Sequence, residues 1–316
     1  MPISNNSTPT TEKKSTVANE TSIVQDQTTG GSLTVDSPFQ TENSVYGLSE
    51  VEMNDPNSIQ VTVSDPKAPL VILFGPAACG KTMTLVRMTR FLQSEGYTVS
   101  PIRTFRPTHD RNYTEICENF DENINSNNAA ASTSRISFML VEVIKNGRRV
   151  CQILEAPGEY YFSPTKPKES FPNYVNTIIS SPNRKVWTIM VEPDWMDQPD
   201  RANYVTKIKK QLKPKMRAKD SVVFVFNKID KTNFVRSVGQ INTAQAITEV
   251  KNLYPDIFES FVNPNPITKL WKKYNCDFVP FQTGFYTVAV NGMTYQEGPR
   301  EYCVKLWKCI MKKITG

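Results

Sequence analysis

The sequence is short of the residues on which many metal and redox sites depend. It has a single histidine, His109, in 316 residues, which argues against histidine-based metal sites and catalytic triads. Its six cysteines are scattered without a Cys-x-x-Cys pair, so neither a zinc site nor a disulfide framework is indicated. These cysteines are Cys79, Cys117, Cys151, Cys276, Cys303 and Cys309.

Long apolar runs and concentrated charge are also missing. No stretch approaches the roughly 18 apolar residues of a membrane span, and the amino terminus is polar, without the apolar core of a secretory signal. The net charge of +6 is spread along the chain. The short basic clusters at 207–210 and 312–313 are more typical of solvated helix faces than of a nucleic-acid surface. We therefore expect a cytoplasmic protein without a membrane span or a nucleic-acid partner.

The chain divides by composition into a polar tail and one folded domain. Residues 1–66 are rich in Ser, Thr, Asn, Asp and Gln and have few large apolar residues, which predicts disorder. Residues 67–316 alternate apolar strand-like runs with helical patterns. Within this domain, residues 105–134 show little pattern and are interpreted as a loop insertion.

The order of the elements predicts an α/β fold. Runs such as Leu70–Phe74 and, within the predicted strand Ser221–Phe226, Val222–Phe226 are continuously apolar, as in strands buried on both faces of a parallel sheet. Asn146-Gly147 joins two strand-like runs and predicts an antiparallel hairpin. A three-layer α/β/α domain follows, with a mainly parallel sheet and one antiparallel hairpin strand.

The first motif stands between the run Leu70–Phe74 and a helical pattern. Residues Gly75–Thr82 read GPAACGKT and match G-x-x-x-x-G-K-[ST] in full. In this context the motif predicts a phosphate loop rather than a chance glycine-rich turn. Lys81 would neutralise the β- and γ-phosphates and Thr82 would ligate Mg²⁺. The predicted nucleotide-binding residues here are Gly75, Ala78, Cys79, Gly80, Lys81, Thr82 and Met83.

The thiol of Cys79 leaves two interpretations open. It lies beside a helix amino terminus and Lys81, both of which favour a reactive thiolate. Alternatively, it is a small packing residue beneath the loop.

The second motif is N-K-x-D, at Asn227-Lys228-Ile229-Asp230, directly after an apolar strand. Together with the phosphate loop, it resembles the P-loop GTPases over residues 69–316. An ionised Asp230 can accept hydrogen bonds from both N1–H and N2–H of guanine, which adenine does not offer. The resemblance implies that Lys228 lies along the base and that Asn227 ties this loop to the phosphate loop. An ordinary surface turn is the alternative.

Two further loops match GTPases by position. Gln282, Thr283 and Gly284 follow the last strand, where the family has a short loop that reaches the base; an ordinary strand exit is the alternative. After another strand, Glu155 and Gly158 stand where GTPases have the Asp and Gly of D-x-x-G, which contact Mg²⁺ and the γ-phosphate. Glu159 takes the place of a catalytic Gln or His, and an ionised Glu cannot donate a hydrogen bond. Glu159 therefore could not orient an attacking water as a Gln does.

The switch threonine of the family has no motif of its own here. Thr133 has the expected spacing before D-x-x-G, with Ser132 and Ser134 as alternatives, although all three also fit an ordinary polar loop. The hairpin strand resembles the translation-factor-like (TRAFAC), Ras-like branch. Residues Pro157–Glu159 also resemble bacterial double-GTPase proteins.

The resemblance implies GTP or GDP and Mg²⁺ as ligands. The metal would be held by Thr82, Thr133 and Glu155, and catalysis would use Lys81, Thr133 and Glu159. We expect a GTP-hydrolysing switch with a protein effector or regulator; the alternative is a nucleotide-binding scaffold with little turnover. An ATPase or small-molecule kinase is disfavoured because it would leave Asn227–Asp230 without a role.

Overall fold

The computed structural model describes residues 47–127, 138–194, 197–289 and 292–316. The predicted switch residue Thr133, and Ser132 and Ser134 beside it, lie outside these ranges, as does most of the polar tail. No helix in the described ranges is long and apolar enough to cross a membrane.

A central sheet of seven strands organises the domain, in the order β2-β3-β4-β1-β5-β6-β9. Two small antiparallel hairpins, β7–β8 and β10–β11, lie outside it. The strands are β1 Leu70–Phe74, β2 Thr98–Pro101, β3 Met139–Lys145, β4 Arg148–Glu155, β5 Lys185–Val191, β6 Ser221–Phe226, β7 Val235–Ser237, β8 Gln240–Ile241, β9 Asp277–Pro280, β10 Gly284–Ala289 and β11 Gly292–Glu297.

Helices fill the connections between the strands. The α-helices are α1 Glu50–Asn54, α2 Lys81–Ser94, α3 Arg111–Glu118, α4 Phe120–Asn125, α5 Gly158–Tyr161, α6 Asn173–Ser180, α7 Gln198–Lys207, α8 Thr243–Leu253, α9 Pro266–Trp271 and α10 Arg300–Thr315. The helix α7 continues as one π-helical turn, Ile208–Leu212. The result is the predicted three-layer α/β/α architecture of the P-loop NTPases.

The centre of the sheet is parallel and apolar. Every residue of β1 and of β5 is buried, and β1 pairs in parallel with both β4 and β5. Only β3 runs antiparallel to its neighbours β2 and β4. Its turn into β4 uses Asn146 and Gly147 at φ 51° and 71°, the positive values that a tight hairpin requires. The predicted hairpin strand is therefore confirmed.

The segment 105–134, expected to be a loop insertion, contains the two helices α3 and α4 in its described part. Asp110 caps α3 by accepting a hydrogen bond from the Tyr113 N–H at 2.9 Å. The buried apolar side chains of α3 and α4 recur every three or four residues, the spacing of one helix face. They are Tyr113, Cys117, Phe120 and Ile124.

The residues before the predicted domain boundary at 67 also pack onto the domain. Leu48 and Ile59 are buried, and α1 begins at a capping box formed by Ser49 and Glu52. The buried Arg106 guanidinium bonds Glu52 at 2.5 Å and the Gln60 carbonyl at 3.1 Å. A few apolar residues and two ion pairs, Arg106–Glu52 and Arg149–Asp65, thus hold a segment whose average composition is polar.

Candidate nucleotide-binding site

The predicted site residues gather at one edge of the sheet. Gly75, Glu192, Asn227 and Phe281 each directly follow the carboxyl end of a parallel strand (β1, β5, β6 and β9), and Glu155 is the last residue of β4. In open α/β sheets, ligands bind outside this edge. Motifs that are up to about two hundred residues apart in sequence are therefore brought together by the topology.

The phosphate loop has the backbone shape of an anion cradle. Ala78 and Gly80 have φ of 61° and 88°, and Gly80 is the residue before the first turn of α2. A Cβ on Gly75 would come within 2.6 Å of the Cys79 sulfur, so only glycine fits there. Backbone N–H groups in the first turn of a helix, which here contains Thr82 and Met83, have no acceptor within the helix, and the helix dipole favours negative charge.

Lys81 and Gly158 meet at this loop. The Lys81 ammonium is buried and donates a hydrogen bond to the Pro76 carbonyl at 2.9 Å. A Cβ on Gly158 would overlap the backbone of Pro76 and Ala77 and the Lys81 ammonium itself. The glycine of the D-x-x-G-like segment therefore lies directly against the phosphate loop.

Cys79 packs beneath the loop instead of facing outward. Its side chain is 1% exposed, and burial raises the pKa of the thiol although Lys81 opposes the shift. Of the two interpretations of this residue, the structure favours the packing role. The backbone of Cys79 still forms part of the cradle.

Thr82 and Glu155 are joined directly. The Thr82 hydroxyl donates to Glu155 Oε1 at 3.0 Å, and the Phe138 N–H donates to Oε2 at 2.6 Å. Burial raises the pKa of Glu155, while Lys81 and these two donors oppose the shift. The hydroxyl and the carboxylate form a hard oxygen pair of the kind that Mg²⁺ accepts.

The N-K-x-D loop is fastened to the phosphate loop. The Asn227 amide donates to the Cys79 carbonyl at 3.0 Å, and the Lys228 ammonium donates to the Ala78 carbonyl at 3.2 Å. Lys228 has φ 54° and also forms an ion pair with the buried Glu192. These contacts fix the loop from which the Asp230 side chain projects.

Asp230 lies at the exposed rim of this loop. Partial burial raises the pKa of its carboxyl, and Lys231 and Lys228 oppose the shift. An acceptor placed next to an aliphatic lysine stem is suited to the edge of a flat base that carries adjacent N–H donors.

The loop after β9 lies beside the N-K-x-D loop and forms the last part of the candidate site. The Ile229 N–H donates to the Phe281 carbonyl at 3.2 Å, which joins this loop to the N-K-x-D loop. Gln282 and Thr283 are buried, and the Thr283 and Tyr286 hydroxyls are 2.9 Å apart. Gly284 begins β10 so close to β11 that a Cβ would overlap the Gln296 carbonyl.

The residues predicted for catalysis are brought together only in part. Glu159 is half-buried in the first turn of α5, next to Gly158, and Lys81 is at the phosphate loop. Thr133 falls outside the described residues. The roles of these three residues remain predictions.

Sequence reasoning did not identify three residues of this site. Glu192 pairs with Lys228, Phe138 holds Glu155 through its N–H, and Tyr286 borders the loop after β9. Burial raises the pKa of Tyr286, and the nearby Asp230 carboxylate adds to the shift. Only Glu192 had a visible signal, because it directly follows the apolar strand β5 and so falls at the same sheet edge.

A phosphate loop between β1 and α2 of a three-layer α/β/α domain defines a P-loop NTPase fold, and here an N-K-x-D loop after β6 is joined to it. No protein-family model and no curated protein sequence matches this chain. Solved structures of GTPases and GTPase-like domains do resemble it in fold.

Two of these structures are of the S. cerevisiae Ski7 GTPase-like domain. The GTP-bound form is 13% identical with a TM-score of 0.41, and covers 79% of this chain and 51% of its own. The form with GDP and inorganic phosphate is 13% identical with a TM-score of 0.39, and covers 84% and 53%. The chain therefore spans about half the length of these two relatives.

A third structure is PAB0955, a GTPase in apo form from Pyrococcus abyssi. It is 10% identical with a TM-score of 0.36, and covers 77% of this chain and 97% of its own. Likeness at this level carries no argument, and the function is argued from the residues of the site.

Proposed function

We propose that this protein binds GTP and GDP with Mg²⁺ and hydrolyses GTP as a nucleotide-dependent switch. The observation that carries the proposal is the direct hydrogen bond from Asn227 to the Cys79 carbonyl. It joins a loop suited to phosphate with a loop whose Asp230 carboxylate is suited to guanine. An adenine nucleotide would use the first loop and leave Asp230 without a donor.

The residues present fit both ligands. The amino-terminal turn of α2 and Lys81 would hold the phosphates, and Thr82 and Glu155 would hold the metal. Bound Mg²⁺ would neutralise charge that develops on the transferred phosphoryl group. Gly158, already in contact with the loop, would sense the γ-phosphate through its N–H, and the segment around Thr133 would respond to the same group.

A second candidate, tight binding with little turnover, has one specific observation in its favour. Both Glu155 oxygens already accept protein hydrogen bonds, from Thr82 and Phe138. The neighbouring Glu159 cannot orient water as a Gln does, because an ionised carboxylate has no donor. In this case the protein would act as a GTP-dependent scaffold.

Two measurements on the purified protein test the proposal. Competition against a fluorescent GTP analogue should rank GTP and GDP well ahead of ATP; equal competition by ATP would remove the guanine assignment. Single-turnover release of phosphate should then require Mg²⁺. Guanine-selective binding without release of phosphate would favour the scaffold.

A further inference from the structure

The strand β9 ends the sheet and has an unpaired side. It pairs in parallel with β6, from Val223 opposite Asp277 to Phe226 opposite Pro280. Within the described ranges, no strand pairs with its other side. An open edge presents backbone donors and acceptors to any extended chain that fits against it.

The backbone groups on this open side can be assigned. The Phe281 N–H donates to the Phe226 carbonyl at 2.8 Å, so the alternation of a strand turns Val279 and Asp277 toward β6 as well. The backbone N–H and carbonyl groups of Phe278 and the carbonyl of Pro280 therefore point away from β6. They offer one N–H and two carbonyls, since proline has no N–H to offer. Pro280 thus occupies a position that costs the sheet no hydrogen bond.

A groove of about 510 Å³ runs along this edge, with α10 as one wall. Its lining contains all four residues of β9 and the lysines Lys305, Lys308 and Lys312 of α10. Positions three and seven residues apart lie on one face of a helix, so the three lysines form a stripe above the groove. We call this feature the β9 groove.

The β9 groove is electropositive. Its one carboxylate, Asp277, is already paired with Lys272 at 2.6 Å and with Lys313 at 2.8 Å. Lys305 donates to the Gly239 carbonyl at 2.7 Å, whereas Lys308 and Lys312 are exposed and form no ion pair with a described residue. Two lysine ammonium groups are thus available to an anionic partner.

We propose that the β9 groove binds an extended, acidic segment of a partner protein by strand addition. The segment's backbone would pair with Phe278 and Pro280, and its side chains would alternate between the two faces. Carboxylates at every second position would then reach Lys308 and Lys312. A second copy of this chain fits poorly, because two lysine stripes would face one another. The proposal does not depend on nucleotide binding.

The test uses the full chain and a fluorescein-labelled peptide of alternating glutamate and valine. Fluorescence anisotropy should show saturable binding. The double variant Lys308→Glu/Lys312→Glu should weaken it by about tenfold or more, since two attractions become repulsions. The matched control Lys210→Glu/Lys269→Glu changes net charge equally at exposed lysines of other helices and should stay within about twofold.

Two further peptides separate strand addition from simple charge attraction. A peptide methylated on every second backbone nitrogen should lose binding, and one of alternating lysine and valine should not bind. Equal binding of the methylated peptide, an equal loss in the control variant, or no saturable binding at all would overturn the proposal. A concentration-dependent dimer in sedimentation that the double variant abolishes would assign the edge to a second copy instead. Every variant should keep the wild-type affinity for GTP and the wild-type melting temperature. A loss of peptide binding then cannot be due to damage to the nucleotide site or to misfolding.

Discussion

The Asn227 side-chain amide donates a hydrogen bond to the Cys79 carbonyl oxygen at 3.0 Å, across 148 residues of sequence. Asn227 is buried, and its own carbonyl oxygen accepts no hydrogen bond from a described residue. A buried amide without a full set of partners is costly, so this oxygen is suited to a donor that arrives with the ligand. The hydrogen bond from the Asn227 amide joins the N-K-x-D loop directly to the phosphate loop.

The contact between Gly80 and Asn227 gives a prediction with an internal control. At Gly80 an added Cβ would overlap the Asn227 amide nitrogen, whereas at Gly147 it would meet nothing within 4 Å. Both glycines have positive φ, so alanine strains the backbone by about 1 kcal/mol or more at either position. We expect both variants to lower the melting temperature and only Gly80→Ala to weaken GTP binding, by about tenfold or more. Equal GTP affinities in the two variants would contradict the coupling.

Lys81→Ala should abolish tight nucleotide binding. The buried ammonium would bond the phosphates of a bound nucleotide, so its removal forfeits charge-assisted hydrogen bonds of about 1.5–3 kcal/mol, or roughly 10- to 150-fold in affinity. Titration with fluorescent GTP checks this, with Lys210→Ala, an exposed lysine of the π-helical turn, as control. Wild-type affinity in Lys81→Ala would overturn the phosphate-loop assignment.

The parts of the fold that followed from sequence are those with a local physical signal. Continuous apolar runs identified β1 and β6, because a strand buried on both faces has few polar positions. The hairpin turn Asn146-Gly147 could be predicted from the sequence because few residues accept two positive φ values in succession. The phosphate loop could be predicted because phosphate binding requires its glycines and Lys81 at a fixed spacing.

The parts of the fold and site that were not predicted from the sequence lack such a local signal. Helices α3 and α4 each contain a few buried residues in a polar background, and the spacing of Tyr113, Cys117, Phe120 and Ile124 was the only sign of them. The packing of residues 47–66 depends on Arg106, a tertiary contact that composition does not reveal. Likewise, the positions of Phe138 and Tyr286 in the site depend on how the chain returns to the sheet edge.

The bond between Thr82 and Glu155 predicts how the metal site responds to a shorter side chain. Asp is one methylene shorter and cannot accept from both Thr82 and Phe138 in the present geometry, so Glu155→Asp should free the Thr82 hydroxyl for Mg²⁺. We expect less Mg²⁺ for half-maximal GTP binding, faster phosphate release, or both.

The control is Glu142→Asp. Glu142 lies on β3, the strand next to that of Glu155, and its carboxylate pairs with Arg149. If Glu155→Ala leaves both the Mg²⁺ dependence and hydrolysis unchanged, Glu155 has a purely structural role and the metal site is misplaced.

Asp230→Asn should lower the affinity of the site for guanine nucleotides and raise its affinity for xanthine nucleotides. The wild-type carboxylate can accept from guanine N1–H and N2–H, whereas xanthine presents a carbonyl at C2. An ionised Asp would face that carbonyl acceptor to acceptor, while an Asn amide can donate to it. An unpaired buried polar group costs about 1–3 kcal/mol, so a shift of roughly tenfold or more is expected.

Competition of GTP, ATP and xanthosine triphosphate against labelled GTP measures this preference. Asp194→Asn is the matched control, because it neutralises a nearby carboxylate that pairs with Lys231 at 2.9 Å and has no assigned contact with the base. If the loss of a negative charge at this rim is the cause, the nucleotide preference should change alike in both variants. If Asp230 contacts the base, the preference should change only in Asp230→Asn. An unchanged order of preference in Asp230→Asn would mean that Asp230 does not reach the base. The guanine assignment would then fall, although the phosphate loop would stand.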